Sequence, residues 1–285
     1  AYHFLKSLFS QIENSPLRDI QLTYVLTEFT QTTIDFWLQQ NQLQSWVESG
    51  KLDFARFDAE HDTSLSLIHS ERVLSADTLK NPLAVIANYF FDGLPQDVFW
   101  IDNDTIYERL ATLTVPESNP NLDDPNLLKQ IDISYHQQPT TTDYYDNVVW
   151  NKILQDYTDA FNKIDLVMPI TAFACLQRIL NMCNGQLFLM TGDKGIHRPA
   201  DLMEFDYDGL TLHGSFSMVV NYHAIGKFVE ALNGQFLTIP HQHNTLDICV
   251  AVFGDNPNAY QETAFAYHNE IIRRNPDDYY NIKGT

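Results

Sequence analysis

Short apolar runs alternate along this chain with stretches of helical periodicity, and the first runs stop at a regular interval. LTYVLT (22–27), LDFARF (52–57) and LAVIA (83–87) each read as a buried strand. The polar residues Glu28, Asp58 and Asn88 close them at intervals of about 30 residues, the length of one strand–helix–strand unit. Thr30 to Gln40, opened by threonines, reads as a helix in the first gap. Strands that alternate with helices pair in parallel through right-handed crossovers, so the expected class is α/β with a doubly wound sheet.

The remaining elements follow from period and punctuation. Phe4, Leu5, Leu8, Phe9 and Ile12 recur at helical spacing from the first residues without an N-cap before them. That pattern predicts that residues of the same domain precede Ala1. VFWIDNDTIYERLATLTV reads as a hairpin around Asp102-Asn103-Asp104, with strands near 98–101 and 105–114. Residues 116–141, rich in Pro, Asn, Asp, Gln and Thr, read as irregular. Helices are expected over 142–162, 171–183, 222–232 and 258–273. Strands are expected at QLFLMT (186–191), QFLTIP (235–240) and LDICVAVF (246–253), the last two forming an antiparallel edge pair. The expected organisation is one domain over 1–285, with an inserted hairpin and cap at 98–165.

Charge narrows the partners. Seventeen Lys and Arg against thirty-seven Asp and Glu leave a formal net charge of −20. Such a surface repels nucleic-acid phosphates and anionic lipid and attracts basic segments, so neither nucleic acid nor membrane is an expected partner. Cys175, Cys183 and Cys249 lie in apolar stretches without a paired spacing, which reads as buried, reduced thiols in a cytoplasmic protein. No apolar run reaches the roughly 20 residues of a membrane span. His241 and His243, even with His213 and His223, complete no ligand set, so no metal is expected. His213 and His223 are candidate bases. Neither a P-loop nor a GxSxG elbow is present.

In an open parallel sheet, ligands bind beyond the carboxyl ends of the strands. That rule selects the loops holding Glu28, Asp58, Asn88 and Asp193. A carboxylate at Glu28 suits two ribose hydroxyls, and one at Asp58 suits an adenine amino group. Each is equally suited to cap the helix that follows it. The expected nucleoside contacts are Glu28, Phe29, Asp58, Ala59 and Asn88, a set that fits adenosylmethionine and a nicotinamide dinucleotide alike.

The segment IANYFFDGLPQDVF and the hairpin after it resemble the MidA-like family of class I methyltransferases. That family carries a strand, then Asn-Glu, two apolar residues, Asp-x-x-Pro, and a hairpin. Asn88, Tyr89, Phe90, Phe91, Asp92 and Pro95 take those places here. The GDKG turn at 192–195 and the stretch SFSMVVNY (215–222) stand where the family has further motifs. The resemblance implies S-adenosylmethionine as cofactor and a doubly wound, mainly parallel seven-stranded sheet with an antiparallel last strand, plus an inserted hairpin and helical cap. It implies methyl transfer to a protein side chain or small molecule, with a basic protein segment as a candidate substrate. Asn88, Tyr89 and Asp92 are the expected catalytic positions, Asn88 orienting a nucleophile and the aromatic residues facing a cation. The family's glycine-rich loop would precede Ala1. Its glutamate is Tyr89 here, and two later carboxylates are Ser215 and Asn221. These changes keep open a catalytically altered binding or scaffold module, beside a nicotinamide-dependent oxidoreductase.

Overall fold

The computed structural model describes residues 2–122, 124, 126–207, 209, 211–212, 216–240, 246–256, 260–273 and 283. The chain divides into two compact units, Ala1–Lys80 with Asn181–Asn184, and Asn81–Leu180 with Gly185–Thr285.

The first unit holds α1 (Tyr2–Glu13), β1 (Tyr24–Glu28), α2 (Gln31–Leu38), α3 (Asn41–Glu48) and β2 (Leu52–Arg56), then a small hairpin, β3 (Leu65–Ser66) and β4 (Val73–Leu74). β1 and β2 run parallel, from Tyr24 opposite Leu52 to Glu28 opposite Arg56. Leu5 and Phe9 on α1 stand one turn apart, as do Leu43 and Val47 on α3. Together with Leu52 and Phe54 they form one buried cluster. Burying each such side chain contributes about 1.5–3 kcal/mol, far above the intrinsic propensity of these short helices. Within the apolar β2, Asp53 is also buried. Its Oδ1 accepts from the backbone N–H of Phe54 and His69 (both 2.8 Å) and its Oδ2 from that of Ser70 (3.0 Å). A buried carboxylate is tolerated because three donors replace its water.

The second unit begins with β5 (Leu83–Asn88), a 3-10 turn (Phe91–Gly93), β6 (Asp97–Asp102) and β7 (Thr105–Thr114). A second 3-10 turn (Leu127–Gln130), β8 (Asp132–Thr140), α4 (Val148–Ala160), β9 (Lys163–Met168), α5 (Ile170–Met182) and β10 (Leu187–Asp193) follow. After them come β11 (Gly195–Ile196), α6 (Pro199–Glu204), β12 (Thr211–Leu212), β13 (Phe216–Ser217), β14 (Val220–Asn221) and α7 (Tyr222–Ala231). β15 (Gln235–Leu237), β16 (Asp247–Phe253) and α8 (Gln261–Tyr267) complete the described elements, α8 running on into a π-turn (His268–Ile272).

These strands do not form the doubly wound, mainly parallel seven-stranded sheet expected from the sequence. They form separate sheets of two to four strands. One is mixed, in the order β15-β16-β10-β5, and only its β10–β5 pair is parallel. The other large sheet, β8-β7-β6-β9, is antiparallel throughout. Connection length explains the difference. A parallel neighbour needs a crossover of a dozen or more residues, but β5 leads through the short stretch 89–96 into β6, and β6 turns back at once. Asn103, with φ of 52°, supplies the left-handed residue of that tight turn.

The expected helical cap is corrected as well. Residues 132–140 pair along β7 from Ile106, opposite Thr140, to Thr114, opposite Asp132. Helix occupies only 148–160 of the expected 142–162, capped by Asn147 Oδ1 on the N–H groups of Val149 and Trp150. The last two strands do pair antiparallel, with β15 at the sheet edge. Cys175, Cys183 and Cys249 are all buried. Among the described residues, no helix is long and apolar enough to cross a membrane.

Candidate functional site

Two parallel strands of the second unit, β5 and β10, end side by side, with Asn88 opposite Gly192. The chain leaves β5 through an unusual backbone. Tyr89 has φ of 50°, a left-handed value that costs a residue with a Cβ roughly 1–2 kcal/mol. Its N–H donates to Gly192 O (2.9 Å), and the N–H groups of Phe90 and Phe91 point at Asp193 Oδ2 (3.4 and 3.1 Å). The turn thus wraps around the end of β10. Glycine at 192 permits the close approach, since a Cβ there would stand 3.2 Å from Asn88 Oδ1. Phe91 is buried, whereas the Tyr89 side chain is 65% exposed.

Beneath this turn lies a buried polar network. β16 runs antiparallel to β10, which sets Thr191 opposite Cys249 and Asp193 directly opposite Asp247. Both carboxylates are fully buried. Tyr222, at the start of α7, stands 2.8 Å from Thr191 Oγ1 and donates to Asp193 Oδ2 (3.3 Å). Burial, then the Asp193 charge, hold the phenol well above its ordinary pKa, so it keeps its proton. Asp247 Oδ2 is 2.7 Å from His197 Nδ1, and the Cys249 thiol faces Asp247 Oδ1. Burial first, and then the nearby Asp92 charge, push Asp193 up to about 7. Hydrogen bonds from Phe91, Phe90 and Tyr222 oppose that rise. Asp193 Oδ1 is buried and accepts no hydrogen bond from the described residues.

Other polar residues of the second unit also make contacts within its framework. Asp92 is half-buried in the 3-10 turn, and its backbone carbonyl accepts from Met218 N–H. Asn221 caps α7, accepting from Ala224 N–H (3.0 Å), and donates to Val167 O (2.9 Å). His223 lies 2.7 Å from the Tyr157 hydroxyl, and burial pushes it down to about 4, so it is neutral near pH 7. His213, Ser215, His241 and His243 lie outside the described residues. Among the described residues no group of three or more His, Cys, Asp or Glu is placed to hold a metal ion.

In the first unit the structure brings together Glu28, Phe29, Asp58 and Ala59, at the carboxyl ends of β1 and β2, where Phe57 N–H donates to Glu28 O. Glu28 Oε1 accepts from the N–H groups of Phe29 (3.0 Å) and Thr30 (3.3 Å), the entry to α2. Asp58 Oδ1 accepts from Glu60 N–H (2.8 Å), and its Oδ2 faces His61. Phe29 is exposed beneath the Arg56 guanidinium, and Ala59 is buried. In the second unit Asn88, Tyr89 and Asp92 share one turn.

The sequence placed Asp193 in a ligand loop, Cys249 among the buried thiols and Tyr222 at the end of SFSMVVNY, but it assigned none of them a role in one site and did not point to Thr191, His197 or Asp247. The available signal was an acid at the end of each of two apolar runs, LFLMTGD and DICVAVF. Their meeting depends on the strand register. No known family's model matches the chain, and no curated protein matches it either.

Proposed function

We propose that the β5–β10 strand ends bind a cationic small molecule, with the sulfonium methyl donor S-adenosylmethionine as the ligand of choice, and support methyl transfer to a nucleophile. One observation carries this reading: Tyr89 is held in a costly left-handed backbone and yet leaves its ring in solvent. Strain of this kind persists where the surroundings enforce it, and it clusters at ligand sites. The chemistry of the donor set fits a cation. An exposed phenol ring supplies a negative π face, and Asp92 in the same turn adds a carboxylate whose charge is felt at Asp193.

The donor, when bound, brings a methyl group already activated by its positive sulfur. Tyr89 then stabilises the positive charge, and Asn88 orients the acceptor through its side-chain carbonyl. The rigid turn contributes positioning, which is the main demand of such a transfer. Calorimetry with adenosylmethionine and with its demethylated product tests the reading. Binding weakened by about 0.5–2 kcal/mol in Tyr89→Ala is the expected result. Absence of heat with either compound sinks it.

A non-catalytic binding module is the second reading, favoured by Asn221. Both ends of that side chain are committed to the helix cap and to Val167, at a position where the resembled family carries an acid. Transfer of a labelled methyl group from adenosylmethionine to basic protein extract separates the two. A module binds the donor and labels nothing.

A further inference from the structure

We infer that Asp193 is the positioning residue of this site: its carboxylate holds the turn that presents Asn88 and Tyr89, and its proton uptake sets how firmly that turn is held. The inference rests on the ligand-site reading of the turn only for its functional meaning. The latch itself stands on geometry.

Three hydrogen bonds over-determine the backbone around Tyr89. Its own N–H is fixed to Gly192 O, and the next two N–H groups converge on Asp193 Oδ2. Two of the three therefore depend on one carboxyl group, and a third donor, Tyr222, fixes that group from the opposite side. All the bonds fall on Oδ2, while Oδ1 is buried and accepts none from the described residues. A proton arriving at Asp193 therefore goes to Oδ1. Oδ2 then changes from a charged acceptor to the carbonyl oxygen of a neutral acid, and its bonds to the turn weaken without breaking.

Burial and the Asp92 charge favour such a proton near neutrality, against the hydrogen bonds from Phe90, Phe91 and Tyr222. Asp92 comes from the 3-10 turn, Asp247 and Cys249 from β16, Tyr222 from α7, and His197 stands beside Asp247. Lys194, the next residue in the chain, is exposed. Negative charge prevails around a carboxylate removed from water, and the shift to about 7 has the direction this geometry requires.

Amide NMR of the whole chain, labelled with 15N-phenylalanine, reads the latch directly and needs no ligand. The Phe90 and Phe91 amide signals are expected to move together between pH 5.5 and 8.5 with one midpoint near 7, and to stop moving in Asp193→Asn. In Tyr222→Phe, which keeps the carboxyl group but removes one donor to its charged form, the midpoint is expected to rise. That second variant carries the test if Asp193→Asn does not fold. Signals that stay still in the wild type, or that titrate unchanged in Asp193→Asn, overturn the inference. So does an unmoved midpoint in Tyr222→Phe. Failure to bind adenosylmethionine leaves these outcomes untouched, so the two proposals fail separately.

Discussion

Tyr89 occupies a backbone state that its own side chain does not repay. Its left-handed backbone costs roughly 1–2 kcal/mol for any side chain with a Cβ, and the exposed ring recovers little by burial. Tyr89→Gly should therefore leave stability unchanged or raise it by up to about 1 kcal/mol. Tyr89→Val, β-branched, should lower it by on the order of 1 kcal/mol or more. Urea midpoints of the three proteins decide the matter, and a large loss in the glycine variant would mean that the ring is packed. Asp193 acts on stability through protonation. Its folded pKa of about 7 lies above the ordinary aspartate value of about 3.9. Between those values the folded protein binds more protons than the unfolded chain, so its stabilising contribution is full below the lower value and is lost as pH rises through about 7. The thermal midpoint of the wild type should fall over that window, and Asp193→Asn should flatten the fall. An equal slope in both proteins would assign the dependence to other groups.

At the scale of elements, a few polar or small residues decide how strands meet their loops. Asp53 ties β2 to the His69–Ser70 turn between β3 and β4. Burial raises its pKa, but the bonds from Ser70, His69 and Phe54 outweigh burial and leave the group below the ordinary aspartate range. Its contribution is therefore present above about pH 4 and is lost as pH falls through the lowered value. Asp53→Ala should cost about 1–3 kcal/mol at neutral pH, and the gap from wild type should shrink in acid. A gap that persists undiminished below pH 3 would show that packing, not ionised hydrogen bonding, is what the mutation removes. Gly195 of β11 makes the complementary case. A Cβ there would collide with the Tyr222 ring and stand 2.9 Å from Val220 O. Gly195→Ala should lower stability by about 1–3 kcal/mol by pushing Tyr222 off Thr191 and Asp193. An unchanged urea midpoint would mean that the ring yields freely.

Over the whole molecule, thirty-seven acidic residues against seventeen basic ones set a self-repulsion that favours expansion. Raising ionic strength from about 0.01 M to about 0.15 M shortens the screening length from about 30 to about 8 Å. The thermal midpoint should rise accordingly, and a scanning-calorimetry series showing no rise would place the charges too far apart to matter. The sequence by itself determined the local elements wherever apolar residues repeat with a period. The cores of β1, β2, β5, β10 and β16, the hairpin at Asn103, α1 and α7 were all legible, because burial forces one face of each element to be apolar. The strand β8 was not legible, since most of its side chains face solvent and leave no apolar alternation. The apolar β9, lying between two helical stretches, went unassigned although it is almost wholly buried. Only the tertiary structure decided which strands pair and in which direction. Pairing joins residues far apart in the chain, and local periodicity is the same for a strand in a parallel or an antiparallel sheet. The candidate site divides in the same way. Asn88, Tyr89 and Asp92 are neighbours in sequence and were found together, whereas Asp193 meets Asp247, and Tyr222 meets both Thr191 and Asp193, only through the β10–β16 register and the packing of α7.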